Sequence, residues 1–138
     1  IITKIENLHH CKDLEYLNLA LNNISEISGL HRCEMLKKLD LTMNFIDFDV
    51  LEKSVAHLRG NIHLREMFLM GNPVAVNWGH YGKDEKDTKL ASYVIAILPQ
   101  LTNLDGLEIT RSMQIKANQR LPDLQKELKV LISRIMIK

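Results

Sequence analysis

Apolar residues recur along the first half of the chain in one pattern, L-x-x-L-x-L-x-x-N-x-I, with polar positions between them. The first copy starts at Leu14 and reaches Asn22, and moving 22 positions along (36 minus 14) gives the second copy, which starts at Leu36. The third copy starts at Leu64, 28 positions after Leu36 (64 minus 36). We therefore expect the second turn to contain about six additional residues within 47–57, because a repeat array tolerates insertions in its loops.

This period predicts a leucine-rich repeat array, in which each L-x-x-L-x-L stretch forms a short strand and successive strands stack in parallel. Alternation along the strand directs Leu17 and Leu19 into the core and their neighbours outward. The predicted fold class is thus α/β, a leucine-rich repeat solenoid of 22-residue repeats with a parallel sheet on its concave face. We expect a C-terminal leucine-rich repeat cap and a helical extension to follow the array.

The residues that end each strand are predicted to be structural. Asn22, Asn44 and Asn72 stand where the chain turns out of the strand, and their amides can satisfy backbone groups that the bend leaves unpaired. Cys11 and Cys33 take one equivalent position in successive coils, where a small buried apolar residue fits. Two cysteines do not make a disulfide framework, and their number points to a reducing compartment.

The C-terminal part changes character after the third repeat. Residues 77–89 are polar, with two glycines and six charges, and predict a mobile insertion loop. Apolar residues at helical spacing then predict a helix that Pro99 ends. Leu101, Leu104 and Asp105 belong to a stretch with the pattern of a cap, which is expected to cover the last repeat.

The last segment is predicted to be helical. Thr110 and Ser112 are candidate N-caps, and Pro122 is expected to interrupt the helix or to start a second one. Its leucines share one face, so the helix either folds back on the solenoid or continues as a coiled coil. We divide the chain into repeats at 1–74, an insertion loop and cap at 75–109, and a helical extension at 110–138.

Charge is distributed unevenly, although the formal net charge is only +1. Residues 1–110 carry 11 Lys or Arg against 15 Asp or Glu (−4), and residues 111–138 carry 7 against 2 (+5). The basic residues of the tail have no interleaved aromatics, so a solvated helix face is favoured over a nucleic-acid site, and nucleic acid is not an expected partner. The longest uncharged apolar stretch is far shorter than the roughly 20 residues that cross a bilayer, so no membrane contact is expected.

Catalytic and metal chemistry are not predicted. The sequence has no P-loop, no G-x-G-x-x-G, no H-E-x-x-H and no G-x-S-x-G, and its histidines lack a nucleophile partner. His9 and His31 each precede a cysteine by two residues, which resembles half of a zinc site, but the repeat register favours structural cysteines. Asp47 and Asp49 lack the remaining ligands of a calcium loop. We expect no enzyme activity, no small-molecule substrate, no catalytic or metal-binding residue and no cofactor.

The concave face is the predicted partner-binding surface. Its outward positions form three columns, in which the first two coils are polar and the third presents an aromatic residue and a methionine. Exposed side chains of that kind on a rigid sheet are typical anchors for a protein partner, unless the cap or the insertion loop covers Phe68 and Met70. The predicted partner-binding residues are Tyr16, Asn18, Lys38, Asp40, Thr42, Glu66, Phe68 and Met70.

Several sequence blocks go beyond the repeat consensus. Residues 14–24, 39–46 and 61–73 closely resemble the TilB-like, leucine-rich repeat dynein axonemal assembly factors, as do residues 98–101 and 104–106. The likeness extends to solvent-facing positions such as Thr42, Glu66 and Phe68. Leu90-Ala91 stands where that family usually has Tyr-Arg, and the insertion is longer here.

The resemblance implies a non-catalytic protein–protein interaction scaffold. It also implies a cytoplasmic preassembly factor for axonemal dynein arms, needed for motility of the cilium or flagellum, with chaperone-linked dynein assembly factors as protein partners. One alternative is a structural protein of the axoneme or basal body, with a flagellar or ciliary pool. A second alternative is a spliceosomal-type, RNA-associated leucine-rich repeat module.

Overall fold

The computed structural model describes residues 1–80, 84 and 88–137 of the 138-residue chain. Three short strands come first in the repeats, followed by two more in the cap, and the helices lie after the second strand. The strands are β1 Tyr16–Asn18, β2 Lys38–Asp40, β3 Glu66–Phe68, β4 Asn103–Leu104 and β5 Leu107–Glu108. The helices are α1 Phe48–His57, a 3₁₀ turn Leu58–Gly60, α2 Pro73–Trp78, α3 Lys89–Ile97 and α4 Arg111–Ile137.

The strands form one sheet in chain order, β1-β2-β3-β4-β5, parallel except for the last pair. Leu17 pairs with Leu39, and Leu39 pairs with Met67, so the core position of each repeat stacks on the same position of the next. Each sequence repeat therefore forms one coil of the solenoid. The predicted leucine-rich repeat solenoid, with a parallel sheet and helices, is confirmed.

A ladder of asparagine side chains holds the coils together at the end of each strand. The Asn44 amide donates to the carbonyl oxygens of Leu41, 3.1 Å away in its own coil, and of Leu19, 2.9 Å away in the preceding coil. Its Oδ1 accepts from the Ile24 N–H at 3.0 Å. Asn72 repeats this arrangement one coil later, with Leu41 and Ile46 as its partners in the preceding coil. The buried asparagines thus satisfy backbone groups that the turn leaves without strand partners.

The longer second coil contains a helix. The additional residues expected within 47–57 are largely α1, whose N-cap Asp47 accepts from the Phe48 N–H through its side chain. Leu51 and Val55 of this helix are buried, which covers the convex side more fully than the first coil does.

The cap closes the sheet at its C-terminal end. β4 pairs in parallel with β3, and β5 then turns back to pair with β4 antiparallel. Leu101 and Leu104 are buried below the third repeat. The predicted helix before the cap is present as α3, with Leu98 at its C-terminus directly before Pro99.

The helical extension differs from expectation at Pro122. The proline lies inside the continuous helix α4 and does not end it, so the predicted interruption is wrong. A proline within a helix costs about 3 kcal/mol. Burying one leucine side chain contributes about 1.5–3 kcal/mol, and Leu124 and Leu128 are both buried after the proline. Packing beyond Pro122 therefore offsets the local cost.

Helix α4 folds back on the solenoid, which decides between the two arrangements that the sequence left open. It packs against α3 and α1. The Thr110 hydroxyl accepts from the Met113 N–H at 3.2 Å, as expected of an N-cap. In the described part of the chain, no helix combines the length and the apolar character that crossing a bilayer demands.

Candidate functional site: the concave face of the sheet

The sheet register places the predicted concave residues in columns. Tyr16 pairs with Lys38 and Lys38 with Glu66, while Asn18 pairs with Asp40 and Asp40 with Phe68. Neighbouring strands lie about 4.8 Å apart, so each column brings three side chains of successive coils into contact range. The eight residues named from the sequence are thereby brought together on three adjacent strands and the residues that follow them.

Lys38 occupies the centre of the first column between two aromatic rings. Its ammonium lies 4.8 Å from the centre of the Tyr16 ring and 5.4 Å from the centre of the Phe68 ring. Both distances are within the range of a cation–π contact. The Glu66 carboxylate is 3.9 Å from the same nitrogen, and both side chains are about two-thirds buried. The arrangement holds a cation in place on the sheet and leaves the Tyr16 ring exposed.

The second column begins with side chains that are already ordered. Asn18 Oδ1 accepts from the Ala20 N–H at 3.0 Å. Asp40 Oδ1 accepts from the Thr42 N–H at 3.0 Å and from the Thr42 hydroxyl at 2.6 Å. Because these bonds fix the side chains before a partner arrives, binding would cost less side-chain entropy here than on a surface of free rotamers.

The third coil supplies the apolar part of the face. Phe68 is half-buried and Met70 is 48% exposed. Asp105 of the cap accepts from the Leu69 and Met70 N–H groups at 2.9 Å through Oδ1, so the cap holds the backbone below these side chains. The described part of the cap thus binds the backbone of Met70 and leaves about half of the Met70 residue exposed to solvent.

Asp105 also contacts a residue that sequence reasoning missed. His80 Nε2 lies against Asp105 Oδ2, and both side chains are buried. The contact links the segment after α2 to the cap. The polar composition of residues 77–89 pointed to a surface loop, and one buried histidine in such a stretch leaves no periodic signal.

Trp78 was predicted to lie in the insertion loop, and this is wrong. It ends helix α2 and is buried, with its ring 5.9 Å from Phe48 and 5.7 Å from Tyr93. Burial, with a smaller contribution from the Glu52 charge, raises the pKa of Tyr93 to about 12. The predicted loop itself lies partly outside the described residues, at 81–83 and 85–87.

The two cysteines are free in the structure. Cys33 is buried, Cys11 is half-buried, and burial raises the pKa of the Cys33 thiol, which keeps it protonated and unreactive. Within residues 1–80, 84 and 88–137, no three His, Cys, Asp or Glu side chains are grouped closely enough to hold a metal ion.

The chain is similar along nearly its whole length to curated relatives. A Danio rerio protein named Dynein axonemal assembly factor 11 is 49% identical over 97% of this chain and 29% of its own length. Protein tilB of Drosophila melanogaster is 47% identical over 97% of this chain and 30% of its own. A Trypanosoma brucei brucei protein, also named Dynein axonemal assembly factor 11, is 44% identical over 89% and 29%. The chain thus spans about 30% of the length of these relatives, and the family resemblance in the sequence blocks is confirmed.

Solved structures show the same fold. A chain of the Drosophila melanogaster SNF/U2A′ complex superposes with a TM-score of 0.71 at 27% identity, over 90% of this chain and 68% of that one. A chain of the Chaetomium Mex67:Mtr2 subunits has a TM-score of 0.51 at 23% identity, over 78% of this chain and 64% of that one. No protein-family model matches the chain.

Proposed function

The chain belongs to the tilB-like dynein axonemal assembly factor family, and from that premise we propose that it is a non-catalytic, protein-binding scaffold in dynein arm preassembly. Its concave columns would hold a protein partner from the dynein assembly and chaperone machinery. The observation that carries the proposal is the ordered face around Lys38, with Tyr16, Phe68 and Met70 as the side chains that a partner would cover.

The names of the relatives support the biological setting. Proteins called dynein axonemal assembly factors in a fish and a trypanosome share this segment at 49% and 44% identity, which supports a role in building axonemal dynein for cilium or flagellum motility. We place the work of this segment in the cytoplasm, before the arms reach the axoneme. The structural neighbour in the SNF/U2A′ complex supports the view that this fold serves in assemblies.

The test uses the full-length protein in ciliated or flagellated cells that lack their own copy. The variant combines Lys38→Glu, Asp40→Lys and Phe68→Ala, which reverses both ordered charges and removes the aromatic anchor. We expect partner co-purification to fall and dynein arms to be missing from axonemes in electron micrographs, with reduced beating. Protein abundance and circular dichroism establish that the variant is folded.

The matched control combines Lys12→Glu, Asp13→Lys and Ile62→Ala. These three side chains are exposed and lie outside the concave columns, so arms and motility should be unchanged. A folded concave variant that supports normal arms would overturn the concave-face proposal.

Cell fractionation separates the scaffold from the structural alternative. A preassembly factor leaves the cell body with mild detergent, whereas an axonemal or basal-body component stays with the extracted axoneme. Salt-sensitive RNA retention through residues 111–138 would instead support the RNA-associated alternative. In the structure, Arg120 of that segment donates to the hydroxyls of Thr88 and Ser92. One of the positive charges of the segment therefore faces the protein itself.

A further inference from the structure

A row of exposed apolar side chains runs along the edge where each strand turns into the convex side. Leu21 is 74% exposed, Met43 is 51% exposed and Phe45 is 56% exposed. Leu21 and Met43 take the same position in successive coils, directly before the ladder asparagines, and Met70 continues the row into the third coil. We call Leu21, Met43, Phe45 and Met70 the apolar ridge.

The backbone at the ridge has a conformation that these residues disfavour. Leu21 and Met43 have φ values of +60° and +58°, in the left-handed region that a leucine or methionine side chain disfavours by roughly 1–2 kcal/mol. Among the described residues, the other non-glycine residues with positive φ are Asn7 and Asp105, whose side chains tolerate this region. Gly71 takes the equivalent position in the third coil at φ +82°.

Two large apolar residues thus stand where glycine or asparagine would be better for folding. Neither contributes much burial in return, because each is at least half exposed. The Met43 thioether does lie over Gly71, where a Cβ would come within 2.3 Å of its sulfur, so the ridge is continuous across these coils. Strain kept at an exposed surface is a reason to look for a partner that covers it.

The charge around the ridge indicates the chemistry of that partner. Residues 17–25, 39–49 and 67–79 form the strand ends and turns of the three coils, and none is Lys or Arg. Asp40 lies on the strand side of Met43, while Asp47 and Asp49 follow Phe45. Lys37 and Arg65 directly precede strands β2 and β3, at the opposite end from the ridge, Lys38 lies on the concave face, and Lys53 of α1 pairs with Glu26. In the sequence, Met43 and Phe45 of the ridge therefore have carboxylates on both sides and no Lys or Arg between 39 and 49.

We propose that the apolar ridge docks a basic amphipathic helix of a partner protein. Its apolar face would cover Leu21, Met43 and Phe45, and its lysines or arginines would meet Asp40, Asp47 and Asp49. This surface adjoins the concave columns and shares Asp40 and Met70 with them, while Leu21, Met43 and Phe45 lie outside the columns and make it a second binding surface of the scaffold.

The test uses methionine-methyl NMR of the full chain, because Met43 and Met70 lie in the ridge while Met35 and Met113 lie elsewhere and serve as internal references. The probe is a synthetic amphipathic helix of leucine and lysine, about 18 residues or five turns long. One control peptide has glutamate in place of lysine, and another has the same leucines and lysines in an order that shares no face. We expect only the first peptide to shift the Met43 and Met70 signals.

The double variant Leu21→Asn and Met43→Asn separates binding from folding. Asparagine tolerates the left-handed region, so the unfolding midpoint should stay the same or rise, while affinity for the peptide, followed at Met70, falls about tenfold. Ile62→Asn makes the same change at an exposed site off the ridge and should leave binding intact. Phe68→Ala should also leave it intact, which distinguishes this surface from the concave columns.

Three results would overturn the proposal. Equal shifts with the glutamate or the shuffled peptide would remove the basic amphipathic specificity. Absence of shifts at Met43 and Met70 would remove the site. Broadening of these signals with protein concentration, without peptide, would assign the ridge to a second copy of the chain.

Discussion

The first and second coils carry the same repeat consensus but differ in how deeply it is buried. Leu14 and Leu17 are half-buried, whereas their counterparts Leu36 and Leu39 are fully buried. Cys11 and Cys33 differ in the same way. Within residues 1–138, the second coil has a complete coil on each side and α1 on its convex face, while segment 1–13 packs before the first coil. Identical residues at equivalent repeat positions therefore contribute unequally to the stability of the fold.

What separates the coils is the number of stacked neighbours. In a solenoid each coil contacts only the coils beside it, so stability is the sum of coil and interface contributions. A residue between two coils contributes to two interfaces, and one at the open face contributes to one. Paired substitutions at equivalent positions measure this difference directly.

The largest difference is expected for the central strand leucines. Leu39→Ala should lower the free energy of unfolding by about 4 kcal/mol, because it opens a cavity between β1 and β3. Leu17→Ala should cost about 1 kcal/mol, since part of this side chain already faces solvent. Urea unfolding followed by circular dichroism gives both values. Equal losses would mean that the first coil is packed as tightly as the second.

A smaller difference is expected for the asparagine ladder. Asn72→Ala removes the acceptor of the buried Ile46 N–H. It also removes one of two donors to each of the Leu41 and Leu69 carbonyl oxygens, and we expect a total cost of about 3 kcal/mol. Asn22 makes equivalent bonds to Ile2 and Leu19 nearer the surface, where water replaces them, so Asn22→Ala should cost under about 1 kcal/mol. The same unfolding experiment compares them. If Asn22→Ala costs as much as Asn72→Ala, solvent does not reach the first turn.

The smallest effect is expected from acidification of the junction between the second coil and the coil before it. His57 of α1 accepts from the Leu30 N–H at 3.0 Å through Nε2, and burial, together with the His31 charge, lowers the pKa of His57. Because the folded state favours neutral His57, its contribution is fully present above about pH 6.5 and is lost as the pH falls through the lowered folded-state pKa. The unfolding midpoint should therefore fall modestly between about pH 7 and pH 5.

His57→Gln provides the control for this effect. The glutamine carbonyl can accept from the same N–H but does not titrate, so the variant should lose part of the pH dependence. An unchanged pH profile in the variant would assign the dependence to the other histidines or to the carboxylates.

The repeat region was largely predictable because its rule is periodic. Leu39 is buried and Lys38 faces outward for the same reason as Leu17 and Tyr16, so one register placed the strands and the concave columns together. The ladder asparagines followed from the need to pair the backbone at each turn. The fold class is confirmed on these grounds, and the binding role of the concave residues stays a prediction.

Non-periodic contacts were not predictable from the pattern. Trp78 stands among polar residues, and its burial depends on Phe48 and Tyr93, which come from helices distant in sequence. Pro122 indicated a helix end by its local cost, while the leucines that override this cost act through tertiary packing. The left-handed backbone at Leu21 and Met43 was not predicted, because only the third coil has a glycine, Gly71, at this repeat position.

The hairpin of β4 and β5 makes the two edges of the sheet different. A parallel edge strand such as β1 accepts another strand in the same register, but the antiparallel return of β5 terminates that register at the other edge. The number of coils can therefore be altered in an engineered protein by grafting a 22-residue unit before Leu14, with the whole cap left untouched. The same unit placed after β4 would separate Asp105 from the Leu69 and Met70 N–H groups that it binds. Coils can therefore be added before β1 but not after β4.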